Sequence, residues 1–190
     1  MAEFTNKFSG WYENHRSFDV TFRNGITTLV GKNGSGKTSM IYELQLILEE
    51  SNIPVYLYNQ KEIGEKAKTA AFYGDATTTG TYLCSSEGEQ IIVSYGWMIQ
   101  SLKKFLNDNK DSEMVFILMD RVDSGLSINS IRDIYGIFNL MVNDYPNLFI
   151  VNTTNNYEFI GDSRCIVAKT GKDIKFNNYD EYVKFIINQK

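Results

Sequence analysis

The residues with the clearest chemistry form one short segment, Gly31-Lys-Asn-Gly-Ser-Gly-Lys-Thr38, which fills the pattern G-x-x-x-x-G-K-[ST] at every fixed position. Glycines allow a tight turn whose consecutive N–H groups point inward at phosphate oxygens, and a following helix adds a partial positive charge. In such a loop Lys37 reaches the β- and γ-phosphates and the Thr38 hydroxyl ligates Mg²⁺. The sequence therefore predicts a nucleoside triphosphate site formed by Asn33, Gly34, Ser35, Gly36, Lys37, Thr38 and Ser39.

The segments on either side are those that a phosphate-binding loop needs. A strand-like run, Ile26–Val30, enters the loop, and a helix-like run, Ser39–Leu48, leaves it. A glycine-rich turn that matches the pattern by chance has no reason to lie between a strand and a helix. The context therefore favours a functional loop.

Strands and helices alternate along the rest of the chain. The apolar run Met114–Met119 is typical of a strand buried on both faces of a parallel sheet. The alternating run Phe18–Phe22 predicts a half-buried strand, joined to the strand at 26–30 by a tight hairpin turn at Asn24-Gly25. We predict an α/β fold of the P-loop NTPase type, with a mostly parallel sheet, an antiparallel N-terminal portion and helices on both faces. The other predicted elements are strands at 55–58, 148–151, 165–168 and 172–176, the last two forming a closing hairpin, and helices at 88–106, 128–143 and 179–187.

Length and composition suit a single globular domain. The chain has 190 residues, of which 43% are hydrophobic and 22% charged, and no apolar run is long enough to span a bilayer. The N-terminus lacks a signal-peptide core, and Cys84 and Cys165 have no metal-ligand spacing, so a reduced cytoplasmic setting is expected. The net charge of −4 argues against a surface that coats nucleic acid. Abundant asparagine is typical of an AT-rich bacterial or phage genome.

Two further segments carry a resemblance to a known class. The segment Ser85-Ser-Glu-Gly-Glu-Gln90 precedes a predicted helix, and it resembles the signature loop of ABC-class ATPases. An ordinary helix N-cap is the competing interpretation of this segment taken alone. The segment Met119-Asp-Arg-Val-Asp-Ser-Gly-Leu-Ser127 resembles the Walker B and D-loop pattern Asp-Glu-Val-Asp-x-x-Leu-Asp of the SMC and RecF-like branch. The order and separation of the motifs agree with this class of ATP-binding (AAA-type) proteins, and the resemblance covers nearly the whole chain.

The resemblance implies one ATPase domain over residues 1–190, in which Asp120 and Thr38 hold Mg²⁺ beside ATP. The signature residues would face the γ-phosphate held by a second copy, so the implied assembly is an ATP-dependent head-to-tail homodimer. Residues 61–82 take the place of the helical or coiled-coil arm that the class carries. The implied signature residues are Ser86, Glu87 and Gly88.

Two residues outside these motifs complete the implied site. Gln60 follows the strand at 55–58 and corresponds to the Q-loop of the class, which senses Mg²⁺ and the γ-phosphate; a plain exposed glutamine is the competing interpretation. Tyr12 is the candidate for stacking on adenine, among several aromatic residues before the phosphate loop. The implied cofactors are ATP and Mg²⁺.

The hydrolytic residues of the class are altered here. Arg121 stands at the position of the glutamate that polarises the attacking water, and a guanidinium cannot accept a proton. Ser127 replaces the D-loop aspartate. Thr154 or Asn155 takes the position of the switch histidine, and the one histidine of the chain, His15, lies far upstream. We therefore expect hydrolysis to be slow or absent.

Two questions about the altered site stay open at this point. Arg121 either contacts phosphate oxygens, as an arginine finger does in cis, or forms a salt bridge with a neighbouring carboxylate. Asp123 and Glu158 are both available as a substitute base, and nothing in the sequence chooses between them. If ATP is turned over, the protein is an ATP hydrolase.

Three functions compete. The first is an ATP-dependent dimer that acts as a switch or clamp without a membrane partner. The second is a P-loop nucleoside monophosphate kinase, because Asp120, Arg121 and Ser124 resemble the Asp-Arg and serine motif of thymidylate-type kinases, although no arginine-rich lid is present. The third is a non-hydrolysing regulator that docks, in a nucleotide-dependent way, on a protein or DNA partner in a DNA-processing, defence or phage complex.

Overall fold

The computed structural model describes residues 2–9, 17–59, 87–160 and 163–189, and for 59, 87–94 and 97 it describes the backbone only. The described strands and helices alternate, as the sequence predicts. In chain order they are β1 (Glu3–Phe8), β2 (Phe18–Arg23), β3 (Gly25–Val30), α1 (Lys37–Glu50), β4 (Val55–Asn59), α2 (Glu87–Asp108), β5 (Val115–Asp120), α3 (Ile128–Asp144), β6 (Leu148–Thr153), α4 (Tyr157–Ile160), β7 (Arg164–Val167), β8 (Asp173–Ile174) and α5 (Tyr179–Asn188).

A six-stranded sheet forms the centre of the molecule, in the order β4-β5-β6-β3-β7-β8. Neighbouring strands are parallel except β7 and β8, which pair antiparallel. Strand β3, which leads into the phosphate loop, lies between β6 and β7, and β6 separates it from β5. The carboxyl ends of β3, β5 and β6 therefore meet at one edge of the sheet.

Both faces of the sheet are covered, as the apolar runs that make up most of β5 and β6 require. Ile117 on β5 packs with α2 and α3 on one face, whereas its neighbours Phe116 and Leu118 pack with α1 and the β1–β2 strands on the other. Phe116 stacks on Phe149 of β6 with ring centroids 4.5 Å apart. Each such buried side chain contributes about 1.5–3 kcal/mol. The predicted α/β class, with helices on both faces, is confirmed.

The predicted hairpin between the second and third strands is wrong. β2 pairs with β1 in a separate antiparallel sheet, from Glu3 opposite Arg23 to Phe8 opposite Phe18. Gly25 has φ +106°, a conformation that glycine adopts readily, and the chain passes there from one sheet into the other. β3 instead pairs in parallel with β6 on one side and β7 on the other, and residues 27–30 of this central strand are fully buried.

Local sequence explains the ends of the later elements. Ser127 is the N-cap of α3, and its hydroxyl accepts a hydrogen bond from the Ser130 amide at 3.2 Å. The predicted closing hairpin is present around Thr170 and Gly171, with Gly171 at φ +68°. None of the helices in the described ranges combines the length and the apolarity that a membrane span requires. The extent of the domain over 1–190 stays a prediction, and the replacement loop at 61–82 lies outside the described residues.

Candidate functional site

The phosphate loop joins β3 to α1 and is built as the sequence predicts. Gly34 and Gly36 have φ of +79° and +90°, in the left-handed region that favours glycine. At Gly31 a Cβ atom would lie 2.4 Å from the Ser35 hydroxyl oxygen, so the turn closes too tightly for a side chain there. The Ser35 hydroxyl is itself buried without a hydrogen-bond partner among the described atoms. A buried, unpaired donor inside a closed turn fits an anion such as phosphate.

Helix α1 begins at the end of this loop with its amide groups uncapped. Its N-cap is Gly36, and no side chain accepts a hydrogen bond from the first turn. The first N–H groups of a helix have no partner within the helix, and the helix dipole makes this end partly positive. An anion at this end of α1 would satisfy both features.

Lys37 lies folded back on the loop that it follows. Its ammonium group donates to the Gly31 carbonyl at 2.6 Å and to the Lys32 carbonyl at 3.2 Å. Burial lowers the pKa of Lys37 below its usual 10.5, while the charges of Asp123 and Asp120 oppose that shift. A half-buried ammonium beside a closed loop supplies positive charge where phosphate oxygens would lie.

Thr38 and Asp120 meet at the base of the site. The Thr38 hydroxyl donates to Asp120, with its oxygen 3.0 Å from Oδ1 and 3.2 Å from Oδ2, and the Asp120 side chain is 6% exposed. Thr153, at the end of β6, donates to the same Oδ1 at 2.8 Å. A hydroxyl beside a carboxylate fits Mg²⁺, which is commonly held by one or two protein oxygens, phosphates and water. The described residues contain no cluster of three His, Cys, Asp or Glu side chains that would hold a metal on its own.

Arg121 follows Asp120 in an unusual backbone conformation. Its φ is +55°, which costs a non-glycine residue roughly 1–2 kcal/mol. The backbone is held there because the Arg121 amide donates to the Thr153 hydroxyl at 2.7 Å. The side chain is exposed on the wall of the site, and no carboxylate among the described side chains lies within ion-pair distance of it. The salt-bridge interpretation of Arg121 therefore finds no partner in the described residues.

The segment after β6 faces the phosphate loop. The Asn155 side chain donates to the side-chain oxygen of Asn33 at 3.2 Å, and its backbone amide donates to Asp123 at 3.0 Å. Thr154 is 2% exposed, and its hydroxyl instead accepts from the Asn156 amide at 2.9 Å. Of the two candidates for the switch position, Asn155 is the one whose side chain contacts the phosphate loop.

The two candidate substitute bases lie in different places. Asp123 is on the wall of the site, hydrogen-bonded to Asn155. Glu158, in α4, accepts from Arg132 at 2.9 Å and does not line the cleft. Asp123 therefore remains a candidate for the substitute base, whereas Glu158 forms an ion pair with Arg132 away from the cleft lining.

These groups line one cleft of about 780 Å³. Thr153 is absent from the predicted site because the predicted strand that corresponds to β6 ends at Val151, two residues early. The signal that could have identified Thr153 is its hydroxyl, which follows the polar Asn152 at the end of an apolar run. Tyr12, Gln60 and Ser86 lie outside the described residues, and of Glu87 and Gly88 only the backbone, the first turn of α2, is described. The cleft is lined by Asn33, Gly34, Ser35, Gly36, Lys37, Thr38, Ser39, Arg121, Asp123, Ser124, Thr153, Thr154 and Asn155.

Comparison with known proteins places this arrangement in a fold class. No family model and no curated protein matches the chain. Among solved structures, the chain is similar to the ADP conformation of an ATP-binding cassette of an ABC transporter, with 14% identity, a TM-score of 0.55 and coverage of 97% of this chain and 94% of that one. The chain has the fold of an ATP-binding cassette.

Two further structures share this cassette fold. A nucleotide-free ATP-binding cassette from an ABC transporter has 13% identity and a TM-score of 0.55, covering 99% of this chain and 96% of that one. The SMC head domain from Thermotoga maritima has 13% identity and a TM-score of 0.54, covering 93% of this chain and 100% of that one. The similarity therefore covers nearly the full length of this chain and of each solved structure.

Proposed function

We propose that this protein binds ATP with Mg²⁺ in the cleft at the end of β3, β5 and β6 and uses the bound nucleotide as a switch or clamp. The observation that carries the proposal is the closed phosphate loop with Thr38 and Asp120 side by side at its base. The uncapped α1 and Lys37 supply positive charge for the phosphates, and Thr38 with Asp120 supplies oxygens for the metal. Tyr12 is the proposed contact to the adenine.

Hydrolysis in this proposal is slow or absent. The residue after Asp120 is an arginine, which cannot act as a general base, and neither can Thr154 or Asn155, the two candidates for the switch position. The Arg121 guanidinium is exposed on the cleft wall without an ionic partner among the described side chains, which suits a contact with phosphate oxygens. Such a contact holds ATP and adds no group that activates water.

The proposed switch works between two copies of the chain. ATP in one copy would contact the signature residues at the start of α2 in the other copy, which are Ser86, Glu87 and Gly88. Gln60 would contact the metal ion bound in its own copy. The resemblance to the SMC and RecF-like branch and the cassette fold both support a head-to-tail dimer. A further protein or DNA partner, in a cytoplasmic machine of DNA processing, defence or phage origin, belongs to the same proposal; the net charge of −4 favours a protein surface.

The kinase alternative finds less support. Arg121 and Ser124 do line the cleft, as the kinase-like motif suggests. A second nucleotide that accepts phosphate, however, needs cations of its own, and Lys37 and Arg121 are the only cations among the described cleft residues. The ATP switch uses both of them for one triphosphate.

Three measurements on the purified protein test the proposal. Equilibrium binding of ATP with Mg²⁺ is expected for the natural chain and is expected to be lost in Lys37→Ala. Light scattering should report a dimer with ATP and a monomer without it. Release of labelled phosphate should be slow or undetectable. Failure of ATP both to bind and to promote association would contradict the proposal, whereas fast turnover abolished by Lys37→Ala would contradict only its non-hydrolysing part. Transfer of phosphate to a nucleoside monophosphate would favour the kinase.

A further inference from the structure

Helix α5 reaches the phosphate loop, although it lies far from it in the sequence. Gln189, directly after α5, accepts a hydrogen bond from the Lys32 amide at 2.8 Å through its side-chain oxygen. Its backbone carbonyl accepts a second bond, from the Lys32 ammonium group at 3.1 Å. One residue of the loop is thus held twice by the end of this helix.

Lys32 also contacts Lys37, the fixed-position lysine of the phosphate-loop pattern. The Lys32 carbonyl accepts from the Ser35 amide at 3.1 Å and from the Lys37 ammonium group at 3.2 Å. The Lys32 amide is therefore fixed by α5, and its carbonyl is fixed by the loop itself. A shift of α5 would move the peptide against which Lys37 rests.

The same helix also contacts the opposite wall of the cleft. The Tyr182 hydroxyl donates to the Asn155 carbonyl at 3.1 Å, and the Tyr182 side chain is 5% exposed. The ring is fixed in place by Phe176, with centroids 5.3 Å apart, and by Tyr157, at 5.8 Å. The segment 179–189 therefore contacts the phosphate loop at Lys32 and the segment after β6 at Asn155.

We propose that α5 is a brace that holds the cleft in its nucleotide-binding shape, with Gln189 and Tyr182 as positioning residues. This inference rests on the proposed ATP-binding function. A loop held in the bound shape loses less freedom on binding, and when that shape is only fractionally populated the apparent affinity falls by the same fraction. Neither Gln189 nor Tyr182 lines the cleft, so each would act through Lys32 or Asn155.

The test compares variants of Gln189 by their ATP affinity in the presence of Mg²⁺. Gln189→Met keeps the length of the side chain and removes the acceptor, so we expect binding weaker by about threefold to tenfold. Gln189→Glu keeps an acceptor oxygen for the Lys32 amide but adds a negative charge beside the phosphate loop, so it should recover part of the ATP affinity that Gln189→Met loses. Asn188→Ala is the matched control, because it truncates an exposed carboxamide one position away. Tyr182→Phe, which removes one hydroxyl, should also weaken binding.

A structural role alone is separated from positioning by melting the variants without nucleotide. Gln189→Met is expected to melt with the natural chain, because the lost bond is solvent-exposed, and to differ in the nucleotide-induced rise of melting temperature. Unchanged or tighter ATP binding in Gln189→Met would overturn the brace while leaving the proposed function intact. A natural chain that fails to bind ATP would overturn the proposed function itself, and the two failures are therefore distinct.

Discussion

The two walls of the cleft differ in kind. The phosphate loop wall matches its motif at every fixed position, and its glycines, Lys37 and Thr38 adopt the geometry that phosphate binding needs. The wall after β5 keeps Asp120, which pairs with Thr38, but continues with Arg121 in a left-handed conformation. In the proposed function the first wall supplies the groups that bind phosphate, and the second has an arginine where the resemblance implies a glutamate that polarises water. The comparison teaches that, under the proposed function, binding and hydrolysis depend on separate residues, so each can be changed alone.

The largest effect is expected from restoring a carboxylate on the altered wall. Arg121→Glu places a general base next to Asp120, and positioned bases contribute roughly 100-fold or more to rate. We therefore expect phosphate release from ATP to rise by about that factor. Arg121→Gln, which removes the charge without adding a base, is the control and should stay slow. No rise in a variant that still binds ATP would contradict the prediction that Arg121 is the residue that limits hydrolysis.

The next prediction isolates the metal contact of the intact wall. Thr38→Val keeps the shape of the side chain and removes the hydroxyl that lies 3.0 Å from Asp120. ATP affinity with Mg²⁺ should fall by about tenfold, the typical effect of losing a contact to a charged group. With Mg²⁺ removed by a chelator, the variant and the natural chain should bind equally. An equal loss under both conditions would place the Thr38 effect in the loop geometry and not in the metal.

A third prediction concerns the strained backbone of the altered wall. Arg121 and Asn52 both have φ of +55°, but asparagine tolerates this region and arginine does not. Arg121→Gly should raise the free energy of unfolding, measured in urea, by about 1 kcal/mol and weaken ATP binding at the same time. Asn52→Gly, in the turn after α1, should change stability by only a few tenths of a kcal/mol. Equal gains in the free energy of unfolding at both positions would mean that the left-handed conformation costs arginine no more than it costs asparagine.

Features of the fold that depend on residues close together in the sequence were predictable, and pairings between distant segments were not. The phosphate loop and its flanking elements were predictable because motif, strand and helix are local in sequence. The pairing of β2 with β1 was not, because the Asn24-Gly25 signal describes a turn and not which sheet each strand joins.

The site shows the same division. Thr38 and Asp120 are 82 positions apart, and their pairing was predictable only through the resemblance to a known class. The contacts of α5 with Lys32 and Asn155 had no signal, since Gln189 and Tyr182 look like ordinary residues of an amphipathic helix. Such contacts depend on the sheet topology, which places the loops after β3 and β6 next to α5.

The smallest effect is expected where the two walls interact electrostatically, between Asp123 and Lys37. Asp123→Asn keeps an oxygen for the Asn155 amide and removes a negative charge that faces the phosphate site, so ATP should bind about threefold more tightly near neutral pH. Glu158→Gln is the matched control; it removes a carboxylate that is paired with Arg132 outside the cleft lining, and it should leave ATP affinity unchanged.

The pH dependence of that gain has a definite sign. Burial already lowers the pKa of Lys37, and the Asp123 charge opposes the shift, so Asp123→Asn lowers this pKa further. Lys37 then loses its proton at a lower pH than in the natural chain, and the gain in ATP affinity should shrink and reverse as the solution becomes alkaline. Titrating affinity against pH for both proteins checks this. A fall in residual phosphate release in Asp123→Asn would instead identify Asp123 as the base that Arg121 does not supply, and the altered wall would then retain a hydrolytic group.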